Sequence, residues 1–225
     1  MPTDPLTALP VFDVPDATYA TSTTDTYDLY RLANAEGPQP AVVFVPGPAP
    51  EGSDRPREWR IYQDYGRLVA HQGVTAAVPE LGYVSMESAD TAAAWLAQVL
   101  DEVRSLPEVD GDRIALWAFS GGGLVVRSWL LKPPKWLRCV GLTYPLLQDP
   151  DCGDVPVVLT RVGRERAALQ ERVTAFLTQA GDAGRHINLI DVPDGEHSFD
   201  MLPAVPGASK AVEMAAAMVA GYLQV

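Results

Sequence analysis

Short apolar runs alternate along this chain with longer amphipathic stretches, and this alternation restricts the fold more than any other feature. Ala41 to Val45 (AVVFV) is continuously apolar, as a strand buried on both faces requires. Val74 to Val78, Arg113 to Phe119, Cys139 to Tyr144, Val155 to Thr160 and His186 to Val192 also read as strands, and the alternating Tyr27 to Leu32 precedes them all. Helical patterns separate the strands. They run from about Trp59 to His71, closed by Gly73; through Ala92, Trp95, Leu96, Val99, Leu100 and Val103; from Gly121 through Leu131; and through Leu169, Val173, Phe176 and Leu177. The apolar stretch from Ala208 to Val225 is a last helix, too short and too charged (Lys210, Glu213) to span a bilayer. Strands joined through helices need crossover connections, so the predicted sheet is mainly parallel. The expected fold is a three-layer α/β/α sandwich.

Residues 1–17 carry Pro2, Pro5, Pro10 and Pro15 without periodicity and are expected to form an extended N-terminal arm. Residues 18–225 contain no repeat and no dividing linker, so a single domain is expected there. The formal charge of −12 is spread along the chain and repels phosphate backbones and anionic lipid surfaces. Nucleic acid and membrane are therefore unfavoured partners, and a small-molecule substrate is expected instead. Cys139 and Cys152 are too few for a disulfide framework or a usual zinc site. The N-terminal MPTDPLTALP has neither a basic region nor a long apolar core, so no signal peptide is expected. Both features point to a cytoplasmic protein with reduced cysteines. Nothing in the sequence calls for a metal or organic cofactor.

The segment Trp117-Ala118-Phe119-Ser120-Gly121-Gly122-Gly123 joins a buried strand to a helix. A serine on such a sharp strand-to-helix turn projects its hydroxyl above the sheet, and the turn needs small neighbours. Ala118 and Gly122 supply them. Phosphate binding by the three glycines is disfavoured: there is no G-x-G-x-x-G, no following Lys-Ser or Lys-Thr, and the segment falls mid-chain. Ser120 is thus a candidate nucleophile, and the Gly121 amide is a candidate donor to a developing oxyanion.

A serine hydroxyl needs a base, and the base needs a carboxylate to fix its tautomer. Of three histidines, His71 caps a helix and His186 starts a strand, whereas His197 lies in the loop PDGEHSFD after the last strand. That loop falls at the carboxyl edge of the sheet, the edge on which Ser120 sits. The acid should lie between them in sequence, at another strand end. Glu165 is the choice, although Arg161, Arg164 and Arg166 surround it; Asp151 or Asp154 are the substitutes, and Asp194 is too near His197. The second oxyanion donor should come from the loop Pro46-Gly47-Pro48-Ala49. Pro48 has no N–H, so Gly47 or Ala49 must serve.

Taken in order, AVVFVPG, GRLVAHQGVTAAV, DRIALWAFSGGG, VPVVLTRVGRE and DGEHSFD resemble the α/β-hydrolase superfamily, and within it the dienelactone-hydrolase-like branch. The resemblance covers roughly Ala41 to the C-terminus. It implies a sheet of about eight strands and a Ser–acid–His triad on Ser120, Glu165 and His197. The branch's namesake uses a cysteine nucleophile, so its lactone substrate does not carry over to a chain with Ser120. The acid is most often Asp, and here the resemblance would place Glu165 in that role.

The short segment between the strands ending near Tyr144 and starting at Val155 leaves no room for a separate cap domain. The pocket rim would be built from residues 46–58, Glu80 to Met86 and Tyr144 to Leu147, with Tyr83 and Tyr144 as candidates to orient a substrate. The expected function is serine-dependent hydrolysis of a small carboxylic ester, or of a lactone or thioester, through an acyl-enzyme on Ser120. An isomerase, cyclase or lyase using the same triad is the alternative, suggested by the two prolines of the oxyanion loop. A non-catalytic small-molecule-binding protein is the third reading.

Overall fold

A computed structural model describes residues 10–49, 51–202 and 205–225. Its centre is an eight-stranded sheet in the order β1-β2-β4-β3-β5-β6-β7-β8. In chain order the strands are β1 (Tyr19–Thr23), β2 (Tyr27–Leu32), β3 (Gln39–Val45), β4 (Thr75–Pro79), β5 (Val109–Phe119), β6 (Leu137–Thr143), β7 (Val157–Val162) and β8 (Ile187–Val192). The β1–β2 and β2–β4 pairs are antiparallel, and all the others are parallel. The helices are α1 (Arg60–Ala70), α2 (Ala89–Arg104), α3 (Gly122–Val125), α4 (Arg127–Leu131), α5 (Ala167–Asp182) and α6 (Ala208–Leu223).

Side-chain alternation along β5 divides the core into two layers. Ala115, Trp117 and Phe119 face α1 and α6, whereas Ile114, Leu116 and Ala118 face α2, α3, α4 and α5. This is the expected three-layer sandwich. Chain order explains where a ligand can enter. From β3 the chain crosses to β4 on one side and then returns to β5 on the other. The crossovers therefore diverge at the carboxyl ends of β3 and β5, which opens a crevice there.

Four local expectations are corrected. β1 was not foreseen, because an edge strand exposed along nearly its whole length (YATST) carries no apolar alternation. The helix expected from Gly121 through Leu131 is two short helices, broken at Val126. β5 begins at Val109, ahead of the expected Arg113, and pairs back to Gln39 across a bulge. β6 stops at Thr143, and Tyr144 turns out of the strand with φ +37°.

Residues 1–9 of the expected arm lie outside the described residues. From Pro10 the arm lies on the domain without regular structure up to β1: Phe12 is buried with its ring 4.8 Å from that of Tyr65. The loop from Tyr144 to Pro156 contains no helix or strand. Among the described residues, no helix is long and apolar enough to cross a membrane, and no cluster of three His, Cys, Asp or Glu side chains could hold a metal ion. Cys139 and Cys152 are free and buried.

Candidate active site

Ser120 follows the last residue of β5 and takes a left-handed backbone with φ +51°. An L-residue resists that conformation, and it persists only where the surroundings over-determine it. Three backbone hydrogen bonds do so. The Ser120 N–H donates to the Thr143 carbonyl at 3.1 Å, and its own carbonyl accepts from Gly123 N (3.1 Å) and Leu146 N (2.8 Å). The turn is also too tight for side chains: a Cβ on Gly122 would stand 2.1 Å from the Val45 carbonyl oxygen. Strand, bend and helix start are thus locked together, and the Ser120 hydroxyl is left at the crevice.

The His197 loop is tied to the loop after β7. Arg164 N–H donates to the Gly195 carbonyl at 2.9 Å, and the Arg164 guanidinium pairs with Asp194 at 2.8 Å. Ser198, with φ +64°, then turns the chain back into a 3₁₀ turn at Phe199–Met201. Held this way, His197 Nε2 lies 2.7 Å from Ser120 Oγ, and Nδ1 meets Glu165 Oε2. The Glu165 side chain is only 7% exposed, and its other oxygen accepts from the Arg166 N–H at 2.9 Å. A carboxylate can only accept, so Nδ1 carries the proton and Nε2 is free to accept from the serine.

The structure therefore brings Ser120, His197 and Glu165 into one chain of contacts. The surrounding arginines do not displace it. Arg161 pairs with Asp191, Arg164 with Asp194, and Arg166 reaches Glu165 only at 3.6 Å from an exposed position. The substitute acids are engaged elsewhere: Asp151 accepts from the Cys152 amide, and Asp154 is exposed beside Arg185. His71 caps α1, and the His186 ring lies against Tyr222.

Two expectations about the surroundings are corrected. Ala49 cannot donate to an oxyanion, because its N–H is given to the Tyr83 carbonyl at 2.9 Å. The Gly47 amide has no backbone acceptor among the described residues, and a Cβ at Gly47 would lie 3.2 Å from Ser120 Cβ and 3.4 Å from Gly121 N. Gly47 and Gly121 are therefore the two amides beside Ser120. The tyrosines do not offer their hydroxyls to a ligand. Tyr83 donates to the Gly121 carbonyl at 3.1 Å, and burial pushes its phenol up to about 12. Tyr144 donates inward to Asp200, and its ring packs on His197 with centroids 4.8 Å apart. Tyr144 packs in the layer of α1 and α6, and Tyr83 in the opposite layer, where it also lines the cleft.

Asp200 was missed by sequence reasoning. Its only signal was its position three residues after the histidine, beside Phe199 in a short apolar turn. It is fully buried and accepts from the hydroxyls of Tyr144 and Tyr65. Desolvation raises its carboxyl from 3.8 to about 6, against the opposing pull of the two hydroxyls and His197. A cleft of about 580 Å³, open mouth included, begins at Gly47 and runs between Arg55, Glu80, Tyr83 and Val84.

Comparison with known proteins identifies chains of similar sequence and fold. A family model described as Esterase FrsA-like matches residues 14–163. That stretch holds Gly47, Ser120 and Gly121 and ends just before Glu165. Esterase FrsA of Vibrio vulnificus (strain YJ016) is 33% identical over 119 residues, covering 51% of this chain and 28% of the relative. The chain thus matches little more than a quarter of that relative's length. Among solved structures, a thermostable esterase from Pseudomonas putida ECU1011 superposes with TM-score 0.64 at 17% identity, covering 98% of this chain and 85% of that one. A protein described as a dienelactone hydrolase, from Klebsiella pneumoniae subsp. pneumoniae MGH 78578, gives TM-score 0.69 at 18% identity over 93% and 97%. At such identities the likeness is one of fold, and the fold is that of the α/β hydrolases.

Proposed function

The chain belongs to the FrsA-like esterase family of α/β hydrolases, and from that premise we propose that it hydrolyses a small carboxylic ester, lactone or thioester through an acyl-enzyme on Ser120. The observation that carries the reading is the continuous Ser120–His197–Glu165 contact chain. His197 Nε2 takes the hydroxyl proton as Oγ attacks the acyl carbon. Glu165 stabilises the imidazolium that forms. The carbonyl oxygen becomes an oxyanion between the Gly121 and Gly47 amides, each worth on the order of 3 kcal/mol in the transition state. Collapse of the tetrahedral intermediate breaks the bond to the leaving oxygen or sulfur, which takes the proton from His197. Water then enters, gives its proton to the same nitrogen, and attacks the acyl-enzyme. The acid departs, and Ser120 regains its hydrogen.

The unspent Gly47 amide weakens the motive for an isomerase, cyclase or lyase, since a proline-bordered loop can still supply its donor. The acidic surface and the reduced, buried cysteines fit a cytoplasmic enzyme acting on small molecules rather than on nucleic acid or membrane. With a chromogenic short-chain ester, the wild-type chain is expected to give a burst equal to the enzyme concentration. Ser120→Ala is expected to lower kcat by at least about a thousandfold. Unchanged turnover in that variant removes Ser120 from the mechanism.

A further inference from the structure

Beneath the base sits a polar cluster that the mechanism above does not use. Asp200 is buried to 0% exposure beside the apolar layer that includes Phe12, Tyr62, Phe119 and Phe199. Burying a carboxylate there is costly unless its oxygens are satisfied. Two tyrosines from different elements meet that need. Tyr144, just past β6, donates across both oxygens at 2.9 and 3.0 Å, and Tyr65 of α1 donates at 3.0 Å. The Tyr144 ring then lies against the His197 imidazole at 4.8 Å, with Phe199 edge-on to its other side at 5.9 Å.

We propose that Asp200 is a positioning residue for the base. Its carboxylate pins the Tyr144 ring against His197, and its charge gives the imidazolium formed during turnover a second buried negative partner besides Glu165. The inference rests on the serine-hydrolase reading of the same site. Geometry limits which groups share this environment. Ser120 from the end of β5, Glu165 from the loop after β7 and Tyr144 from the end of β6 face His197. Tyr65 and Tyr62 of α1 and Tyr144 face Asp200. Arg166, near Glu165, is exposed to solvent. Burial raises all three phenols, so they stay neutral at physiological pH. The carboxyl of Asp200, at about 6, is ionised at neutral pH. In this low-dielectric layer its charge acts on the imidazole with little screening.

The chain has three histidines, so ¹³C-labelled histidine gives one imidazole signal each for His71, His186 and His197. In Asp200→Asn the oxygen still accepts a hydroxyl while the charge is gone. The His197 titration midpoint is expected to fall by roughly half to one pH unit, with His71 and His186 unmoved. The acid limb of kcat/KM should move the same way, with kcat down about tenfold and KM within about twofold. Glu196→Gln, an exposed charge on the same loop, is expected to leave all these values at the wild-type level. Should Asp200→Asn not fold, Tyr144→Phe keeps the charge, breaks the link, and is expected to lower kcat about fivefold with KM unchanged. A His197 midpoint that stays put in Asp200→Asn, or a kcat within about twofold of wild type in Tyr144→Phe, overturns the proposal. The titration needs no substrate. A wild-type chain inert toward every ester but with a shifting His197 midpoint therefore defeats the hydrolase reading alone, and an active chain with an unmoved midpoint defeats this inference alone.

Discussion

Asp200 places a cost on the folded state that follows pH in a defined direction. Its folded value, about 6, lies above the ordinary 3.8, so between those values the folded chain holds a proton that the unfolded chain has released. Stability is therefore full below about pH 4, falls as pH rises toward 6, and stays lowered above it, by a few kcal/mol in order of magnitude. Asp200→Asn is expected to be more stable than wild type by about 1–3 kcal/mol at pH 8 and no different near pH 4, as read by urea unfolding. Equal stabilities at pH 8 would contradict the burial account. If Asp200 positions the base as proposed, activity and stability pull in opposite directions at this side chain. Ser120, Glu165 and His197 were legible in the sequence because their order and their positions at strand ends are one-dimensional properties. Asp200 was not, because its partners come from α1 and from Tyr144 just past β6, far away in sequence. The choice between Gly47 and Ala49 was equally hidden: it depends on which amide the folded loop gives to the Tyr83 carbonyl.

At the scale of elements, Ser120 is held by contact between backbones. β3 and the start of α3 approach so closely at Gly122 that no side chain fits between them. Gly122→Ala is expected to cost more than about 3 kcal/mol, because the clash is with the Val45 carbonyl and neither backbone can yield without moving the bend. A melting temperature within a degree of wild type would contradict this. Strands with continuous apolar runs, such as β3, were legible because burial on both faces leaves a compositional mark. The exposed β1 leaves none, and the break at Val126 falls in an apolar stretch that gives no local sign of it. Tyr83 and Tyr144 illustrate the same limit. Aromatic residues at the site were foreseeable, but the direction of their hydroxyls was not.

At the scale of the molecule, two apolar layers clamp the sheet and leave its carboxyl edge to hold the Ser120–His197–Glu165 contact chain. From Pro10 the N-terminal arm joins the layer beneath the site: Phe12 packs on Tyr65, and the Val11 N–H donates to the Asp200 backbone carbonyl at 3.0 Å. Phe12→Ala is expected to lower unfolding stability by about 2–4 kcal/mol, read by chemical denaturation, since a buried ring at the layer's edge is lost. A loss below about half a kcal/mol would show that the arm is dispensable to the core. The division into layers was legible from periodicity, whereas the arm's role was not, because its prolines conceal a single anchoring ring. The central claim is that one serine, activated by His197, carries the acyl group. Its most direct measurement is intact-mass and peptide mass spectrometry after exposure to a fluorophosphonate. The account predicts one adduct per chain, on the peptide containing Ser120, absent from Ser120→Ala and strongly slowed in His197→Ala. No adduct on the wild-type chain, or an adduct on another residue that persists in Ser120→Ala, would contradict it.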